Sequence, residues 1–303
     1  MPDFVIRSFR RDDRDQLTRL VNAHIAAVIP GVSVSVNTVL SQMERRPTET
    51  IIDPWVVERV TLVAEQAGAV VAAAHLLRYG VGSQVSDSYR DAGVLEWLVA
   101  ANWDPTGPED WLRSAAPAAD ALMAACLAQF QRWRVRSRYF DGKLPAPATY
   151  GLPAQWPHLG DLLRRTGWEL GAEHSVELIL VASTDDLPRP VSADLAVRRS
   201  MGELGTRFTA HRGGADLGYL EIDTDLASPE RISRLGGWAD VCRTEGEPEV
   251  VRWLFGQVAS WLRLGGIDRL LDYLDPGDES LPLLLDCGFV ELTRTERGWE
   301  HRG

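Results

Sequence analysis

Hydrophobic and polar residues recur along this chain with the periods of strands and helices, and they do so in two successive rounds. In the first round, two helices follow an opening strand, and a hairpin, a further strand and a long helix come next. A short strand, a short helix and a last strand complete it. The predicted ranges are 4–9, 12–27, 36–44, 60–65, 69–77, 94–100, 117–133, 137–140, 159–165 and 169 onward.

The second round repeats the later elements of the first in the same order, without the two opening helices. Its predicted ranges are 193–198, 206–211, 217–222, 238–244, 248–264, 267–273, 281–286 and 289–293. Segments 162–170 and 284–292, each a leucine-rich helix end followed by Gly-aromatic, fall at matching places. A repeat of this length indicates a duplicated domain. We therefore predict a domain at 1–182, a linker at 183–190 and a shorter domain at 191–303.

Composition and charge narrow the function classes. A chain of 303 residues is long for one core. Its net charge of −11 argues against nucleic acid or an anionic membrane as a partner. We expect a cytoplasmic protein, because the N-terminus lacks a signal-peptide pattern and no apolar stretch is long enough to span a bilayer. Three widely spaced cysteines favour neither disulfides nor a metal site. The oligomeric state cannot be read from these features.

The order of elements, with its closing helix-Gly-Trp and helix-Gly-Phe segments, resembles the GNAT superfamily of N-acetyltransferases. The resemblance implies an α/β fold of two tandem acyl-CoA N-acyltransferase-like domains. Each would be a mixed, mostly antiparallel sheet flanked by helices, and the second would be shorter. It also implies acetyl-CoA as the acyl donor, a primary amine on a small molecule or peptide as the acceptor, and direct transfer without a metal.

The resemblance places the donor at the strand and long helix of the first half. Backbone at Leu98, Val99 and Ala100 would pair with the pantetheine arm. The family's phosphate loop is best matched at Arg113-Ser-Ala-Ala-Pro-Ala, where the small residues Ala116, Ala118 and Ala119 would let the pyrophosphate approach the start of the helix. An ordinary alanine-rich helix start explains the same letters. In the second half, glutamates 245, 247 and 249 would repel a phosphate.

Glu96 is the candidate catalytic base, because several family members keep a glutamate near the start of this strand. Its neighbours Leu95, Trp97 and Leu98 would desolvate the carboxyl and raise its pKa. An exposed strand carboxylate is the alternative. The position we equate with it in the second half is Trp238, which cannot act as a base.

Three further residues are candidates for acceptor binding: His75 on the hairpin, and Trp156 and His158 before the short helix. Packing inside the core is the alternative for each. The family's usual tyrosine acid is replaced by Leu163 and Leu284 in the two halves, and neither can protonate a leaving thiolate.

Two hypotheses follow from the sequence. In the first, the chain is an N-acetyltransferase whose N-terminal domain is active and whose C-terminal domain is degenerate. In the second, both sets of motifs have decayed, and the chain is a non-catalytic protein that binds a ligand or a partner.

Overall fold

The computed structural model describes residues 4–44, 55–101, 109–146, 149–189, 194–224 and 237–302, with the backbone alone for 109–115. Backbone contacts divide the chain into two compact units. Unit 1 comprises Met1–Ser175 and Thr295–Gly303, and unit 2 comprises Val176–Arg294. Two strands, at 168–183 and 290–301, therefore contain residues of both units.

Six α-helices lie in the described part of the chain, and a short 3-10 turn at Arg11–Asp13 precedes the first of them. Four belong to unit 1 and two to unit 2. They are α1 Arg14–Val28, α2 Val36–Glu44, α3 Glu109–Trp133, α4 Pro157–Arg165, α5 Pro248–Leu264 and α6 Leu281–Asp286.

The sheet of unit 1 is mixed. Strands β1 to β4 pair antiparallel in chain order, and β5 joins β4 in parallel. The end of β13 pairs antiparallel with both β5 and β6. The strands are β1 Phe4–Ser8, β2 Val56–Gln66, β3 Ala69–Tyr79, β4 Ala92–Ala100, β5 Ser137–Phe140, β6 Leu152–Pro153, β7 Trp168–Ser183 and β13 Val290–His301.

Strand β4 is buried along its whole length, which explains its unbroken apolar sequence on either side of Glu96. Helix α3 contacts β4 and its neighbours, and Phe130 of that helix lies directly over Gly93. A Cβ atom at Gly93 would come within 2.5 Å of the Phe130 ring, so the glycine allows the helix to approach the strand.

Unit 2 repeats this plan with its own core. The end of β7 pairs with β12, which pairs in parallel with β11, and β10, β9 and β8 continue the sheet antiparallel. Helix α5 buries Leu254, Phe255 and Val258 against these strands. The strands are β8 Ala196–Met201, β9 Thr206–Arg212, β10 Ala215–Asp223, β11 Trp238–Gly246 and β12 Arg269–Leu274.

The predicted α/β class and mixed, mostly antiparallel sheet are confirmed, and the shorter second domain stays a prediction. The contact units, however, differ from the predicted domain boundaries. The first break falls inside β7 at Ser175, before the predicted linker 183–190. Within that segment Leu187 is buried in the core of unit 2, so its apolar side chain binds the segment to that unit. Among the described residues, no helix combines the length and the apolar character needed to cross a bilayer.

One helix boundary was predicted wrongly. Helix α3 begins at Glu109, eight residues before the predicted start at Pro117, and the proline lies inside it. Residues 111–116 include Leu, Arg and Ala, which are good helix formers and extend the helix toward its N-terminus. Pro117 has no N–H, so it removes one helical hydrogen bond without ending the helix.

Candidate active site

A β-bulge marks the centre of strand β4. Its register with β3 shifts between two adjacent pairs, Trp97 with His75 and Leu95 with Leu76, and Glu96 is the extra residue between them. Bulges bend a strand and redirect side chains, and they are frequent beside active sites. Glu96 is only 6% exposed, so the alternative of an exposed strand carboxylate is wrong.

His75 and Thr61 form a polar line leading to Glu96 across three adjacent strands. The distance from His75 Nε2 to Glu96 Oε2 is 3.6 Å. On the other side of the ring, Thr61 Oγ1 lies 2.8 Å from His75 Nδ1. When Nε2 carries the proton, Nδ1 accepts from the threonine and the N–H faces the carboxylate. The imidazole stacks on Trp97 with ring centroids 5.6 Å apart, which fixes its plane.

The outer edge of β4 opens just beyond the bulge. Pairing with β5 covers only Ala92 to Leu95, and the amide of Lys143 then donates to the carbonyl of Glu96. The backbone amide of Ala101 donates to a carbonyl of β3. In an antiparallel pair, every second residue bonds to the partner strand, so the backbone groups of Leu98 and Ala100 point away from β3. Leu98 and Ala100 are two of the three residues that the sequence predicted for the donor, and their side chains are buried. The same alternation turns the backbone groups of Val99 toward β3, so they do not lie on the open edge.

The His24 side chain covers this open edge at Ala100, and two further side chains contact His24. Nε2 of His24, on α1, lies 3.5 Å from the amide nitrogen of Ala100 and 3.3 Å from Nε2 of His158. Trp156 Nε1 donates to the His24 carbonyl at 3.0 Å. His24 Nδ1 lies 2.8 Å from the Leu20 carbonyl and donates to it, so Nε2 is free of a proton in the neutral ring.

Both histidines of this cover are neutral at pH 7. Burial lowers the pKa of His24 to about 4, against a smaller opposing effect of its bond to Leu20. Burial, and then the charge of His24, lowers the pKa of His158 to about 3. His75 and Trp156 are each 1% exposed, too deep to form the acceptor surface predicted for them. Only His158 among the three acceptor candidates is partly exposed.

The predicted phosphate cradle is not at the start of α3. Ala116, Ala118 and Ala119 lie beyond its first turn, and only the first four amides of a helix lack a helical partner. Ala118 and Ala119 are also buried. The side chain of Arg113 and the segment 102–108 lie outside the described residues.

Comparison with solved structures relates this geometry to known proteins. The chain superposes on a tandem GNAT protein from the clavulanic acid biosynthesis pathway with a TM-score of 0.57 at 13% identity, covering 98% of this chain and 97% of that one. A GCN5-related N-acetyltransferase from Sphaerobacter thermophilus gives 0.56 at 11% identity, covering 99% and 95%. No family model matches the sequence, and no curated protein matches it.

A third structure contains a GCN5-related glucosamine N-acetyltransferase region within a fungal multi-domain GH3 β-N-acetylglucosaminidase. It gives a TM-score of 0.57 at 14% identity, and the match covers 100% of this chain but only 38% of that one. The matches extend over both units. The chain has the tandem GNAT fold.

The second copy of the GNAT fold contains a bulge at the equivalent place. Strand β11 pairs in parallel with β12 only from Trp238 to Asp240, and its register with β10 shifts between the pairs Glu221–Arg243 and Ile222–Val241. The extra residue is Cys242. The earlier equation of Glu96 with Trp238 was therefore wrong, because it was made without the cross-strand register. Trp238 instead matches Ala92, the first residue of the parallel pairing.

In this GNAT copy an ion pair occupies the positions of Thr61 and His75. Arg207 and Glu221 are opposite each other on β9 and β10, with Nη2 and Oε2 2.9 Å apart. Glu221 also accepts from the amides of Leu204 and Gly205. At the start of α5, Glu247 is the N-cap, and it and Glu249 are exposed, as the predicted repulsion of phosphate requires.

Two residues of the candidate site carried no usable signal in the sequence. Thr61 and His24 lie 35 and more residues from Glu96 along the chain, and only strand register and the packing of α1 bring them to β4. Across the described residues, no group of three or more His, Cys, Asp or Glu side chains is arranged to hold a metal ion. The absence of a metal from the chemistry stays a prediction.

Proposed function

We propose that unit 1 is an N-acetyltransferase that transfers an acetyl group from acetyl-CoA to a primary amine, with Glu96 as the general base. The observation that carries the proposal is the bulge of β4. It holds a buried carboxyl against His75 and leaves backbone groups at Leu98 and Ala100 on an open strand edge. The tandem GNAT fold supports the proposal. A second part of the proposal is that unit 2 is degenerate and does not catalyse the transfer.

In this proposal the donor is a substrate held by the strand edge. The pantetheine amides would pair with the backbone of Leu98 and Ala100, which requires the His24 ring to leave the Ala100 amide. Replacing the His24 ring at the Ala100 amide costs little free energy, because the ring is neutral and no charge moves with it. The described residues provide no helix start for the pyrophosphate at Ala116 to Ala119.

The proposed reaction consists of a proton transfer followed by an acyl transfer. Glu96 accepts a proton from the acceptor, which becomes a neutral amine and attacks the thioester carbonyl carbon. The C–N bond forms, the C–S bond breaks, and the attacking nitrogen loses its second proton to solvent water. Coenzyme A leaves as a thiolate that takes a proton from the same water. His75, held by Thr61 and by Trp97, keeps the Glu96 carboxylate in place. The amide of Leu98 is the nearest backbone donor beyond the bulge for the developing oxyanion.

A binding titration followed by an activity assay tests the proposal. Acetyl-CoA is titrated calorimetrically, and release of free thiol is then measured over a panel of amines. We expect Glu96→Gln to lower kcat by about 100-fold or more while the Kd for acetyl-CoA stays within about twofold. Cys242→Ser, at the equivalent bulge, is the matched control and should leave both values unchanged. Loss of binding and turnover together in Glu96→Gln would contradict a role as base.

The cover over the strand edge favours a second function, a non-catalytic ligand- or partner-binding protein on the same scaffold. His24 occupies the edge that a donor would need, and Trp156 and His158 contact His24. The variant His24→Ala separates the two functions. In a transferase it should tighten acetyl-CoA binding several-fold by exposing the Ala100 amide. If neither the wild type nor His24→Ala binds acetyl-CoA, the second function is favoured.

A further inference from the structure

A cavity of about 400 Å³ lies in unit 1 at the end of β5, and every residue that lines it belongs to that unit. Its volume suits a small organic molecule, since ligand pockets measure roughly 300–1,000 Å³. No sequence prediction pointed to it. Its lining includes Tyr89, Tyr139, Asp141, Tyr150, Arg297 and Trp299.

Several aromatic rings line this cavity. Tyr89 packs against Tyr79 with centroids 5.0 Å apart and against Tyr139 at 5.7 Å, and the lining residue Trp299 is 1% exposed. The guanidinium of Arg297 lies 4.2 Å from the centre of the Tyr150 ring. A flat or apolar body can therefore pack on π faces, which also attract cations.

A carboxylate, that of Asp141, is fixed in the lining of the cavity. Tyr89 Oη donates to Asp141 Oδ1 at 3.2 Å, and the backbone of Asp141 is bonded to Leu95 and Gly151. The next residue, Gly142, has a φ of +64°, and a Cβ there would overlap the Gly151 carbonyl. The tight turn that holds the aspartate thus requires glycine.

The charges around the cavity favour a cation. Asp141, Glu173 and Glu300 line it, with Arg297 as the basic residue among its lining. Burial raises the pKa of Asp141 to about 6, opposed by its bond to Tyr89 and by the charges of Lys143 and Arg297. Above that pH the aspartate is ionised, and a bound cation would compensate for the cost of burying its charge.

Strand register brings this cavity to the face of the sheet that carries Glu96. Tyr139 is paired with Val94, which is paired with Leu77, two residues from His75. Side chains paired in this way project to one face. Asp141 follows Tyr139 by two residues and projects to the same face. Asp141 and Glu96 both raise the pKa of Tyr79, after the larger effect of burial, so this buried tyrosine lies near both carboxyl groups.

We propose that this cavity binds the acceptor as a primary ammonium cation attached to an aromatic or other flat apolar body, with Asp141 as its counter-ion. The inference names the substrate class and rests on the proposed transferase function for its purpose. The binding itself requires no acetyl-CoA. A molecule of this class has its ammonium at Asp141 and its ring among Tyr89, Tyr139 and Trp299.

Ligand-observed NMR and calorimetry without acetyl-CoA test the assignment. The probes are 2-phenylethylamine, the neutral 2-phenylethanol and the anionic 3-phenylpropanoate, which share a ring and differ in charge. We expect the amine to bind at least about tenfold more tightly than the alcohol. Equal binding of amine and alcohol, or preferential binding of the anion through Arg297, would overturn the proposal.

Variants locate the binding within the cavity. Asp141→Asn should weaken 2-phenylethylamine binding at least about tenfold and leave the alcohol unchanged. Asp161→Asn is the matched control, because that carboxylate is exposed on α4. Tyr139→Ala should weaken the amine and the alcohol alike. A single cooperative thermal unfolding transition above the assay temperature shows that each variant is folded. Amine binding that survives Asp141→Asn would contradict the assignment.

The outcome can be separated from that of the proposed function. Amine binding that depends on Asp141, in a protein that does not bind acetyl-CoA, would leave the cavity assignment standing and remove the transferase. Turnover with a KM for the amine that Asp141→Asn does not change would do the opposite.

Discussion

The two bulges on β4 and β11 have the same backbone arrangement but differ in the chemistry of their side chains. In each, one extra residue lies on a strand that pairs antiparallel on one side and only briefly in parallel on the other. In unit 1 the extra residue is Glu96, facing a buried histidine. In unit 2 it is Cys242, beside a buried glutamate already neutralised by Arg207. The same backbone bulge thus occurs with an ion pair in place of the histidine and the carboxylate.

Electrostatics distinguish the two polar lines further. Burial would raise the pKa of Glu221, but the Leu204 amide and Arg207 outweigh burial, and the pKa lies below its ordinary value. That carboxylate therefore stabilises unit 2 at neutral pH, and the contribution is lost as the pH falls through the lowered pKa. A group held in this way is a poor base, because its ionised form is already satisfied.

The largest expected effect is on the stability of unit 2. Glu221→Ala removes four hydrogen bonds from the carboxylate and leaves Arg207 partly buried without its partner. We expect a loss of about 3 kcal/mol in the free energy of unfolding, measured by chemical denaturation. Glu203→Gln, which breaks an exposed pair with Arg243, should cost about 0.5 kcal/mol. Equal effects of the two variants would show that Glu221 has no special structural role.

Exchanging the two bulge residues tests whether the glutamate itself accounts for the chemical difference between the units. Glu96→Cys gives unit 1 the residue of unit 2, and we expect turnover to fall about 100-fold, or about 2.7 kcal/mol in activation free energy. The reciprocal Cys242→Glu should change turnover less than twofold, because it has no histidine beside it. Activity that moved with the glutamate would show that unit 2 is the competent copy.

A buried aspartate of unit 2, Asp272, makes the stability of the protein depend on pH. Burial, and then the charges of Asp278 and Asp240, raise the pKa of Asp272 to about 7. The folded state therefore binds a proton between about pH 4 and 7 that the unfolded state has lost, so the stability contributed by this group falls as the pH rises. Asp272→Asn should stabilise the protein by about 2 kcal/mol at pH 8 and little at pH 4.

Denaturation midpoints of Asp272→Asn at the two pH values check this expectation. The exposed Asp275→Asn serves as the control. A stabilisation that is the same at pH 4 and pH 8 would exclude titration of Asp272 as its cause.

The smallest expected effect is on the positioning of Glu96. Thr61→Val removes the bond to His75 Nδ1 and should lower kcat about fivefold, near 1 kcal/mol, with a shifted pH profile of kcat. Acetyl-CoA binding should not change. Thr18→Val, which removes a hydroxyl bonded only to a backbone carbonyl, is the control. A lower kcat with an unchanged pH profile would point to a packing effect instead.

The sequence predicted most of the elements, and the exceptions have physical causes. Helix α5 runs from Pro248 to Leu264 as predicted, because proline at its start and glycine at its end are local signals. The same reasoning misplaced α3, since Pro117 is tolerated inside the helix. Local patterns therefore fix where a helix can begin, while packing decides whether it begins there.

The site was predicted less completely than the fold. Glu96 was found from the resemblance, but the bulge that makes it distinct depends on pairing with β3, which no local pattern encodes. The cavity at Asp141 combines residues near 89, 140, 150, 173 and 298, and only the folded chain brings them together. The predicted final strand, 289–293, lies in unit 2, but β13 continues to His301, and contacts place the residues from Thr295 onward in unit 1.

That division of β13 has a consequence for biosynthesis. Arg297 and Trp299 line the cavity of unit 1, yet the ribosome makes them only after all of unit 2, residues 176–294. At typical elongation rates this delay is roughly 6 to 24 s. During it a nascent unit 1 has β5 without its β13 neighbour, an unpaired edge open to wrong partners. The half of the molecule that is translated first is thus the half that matures last.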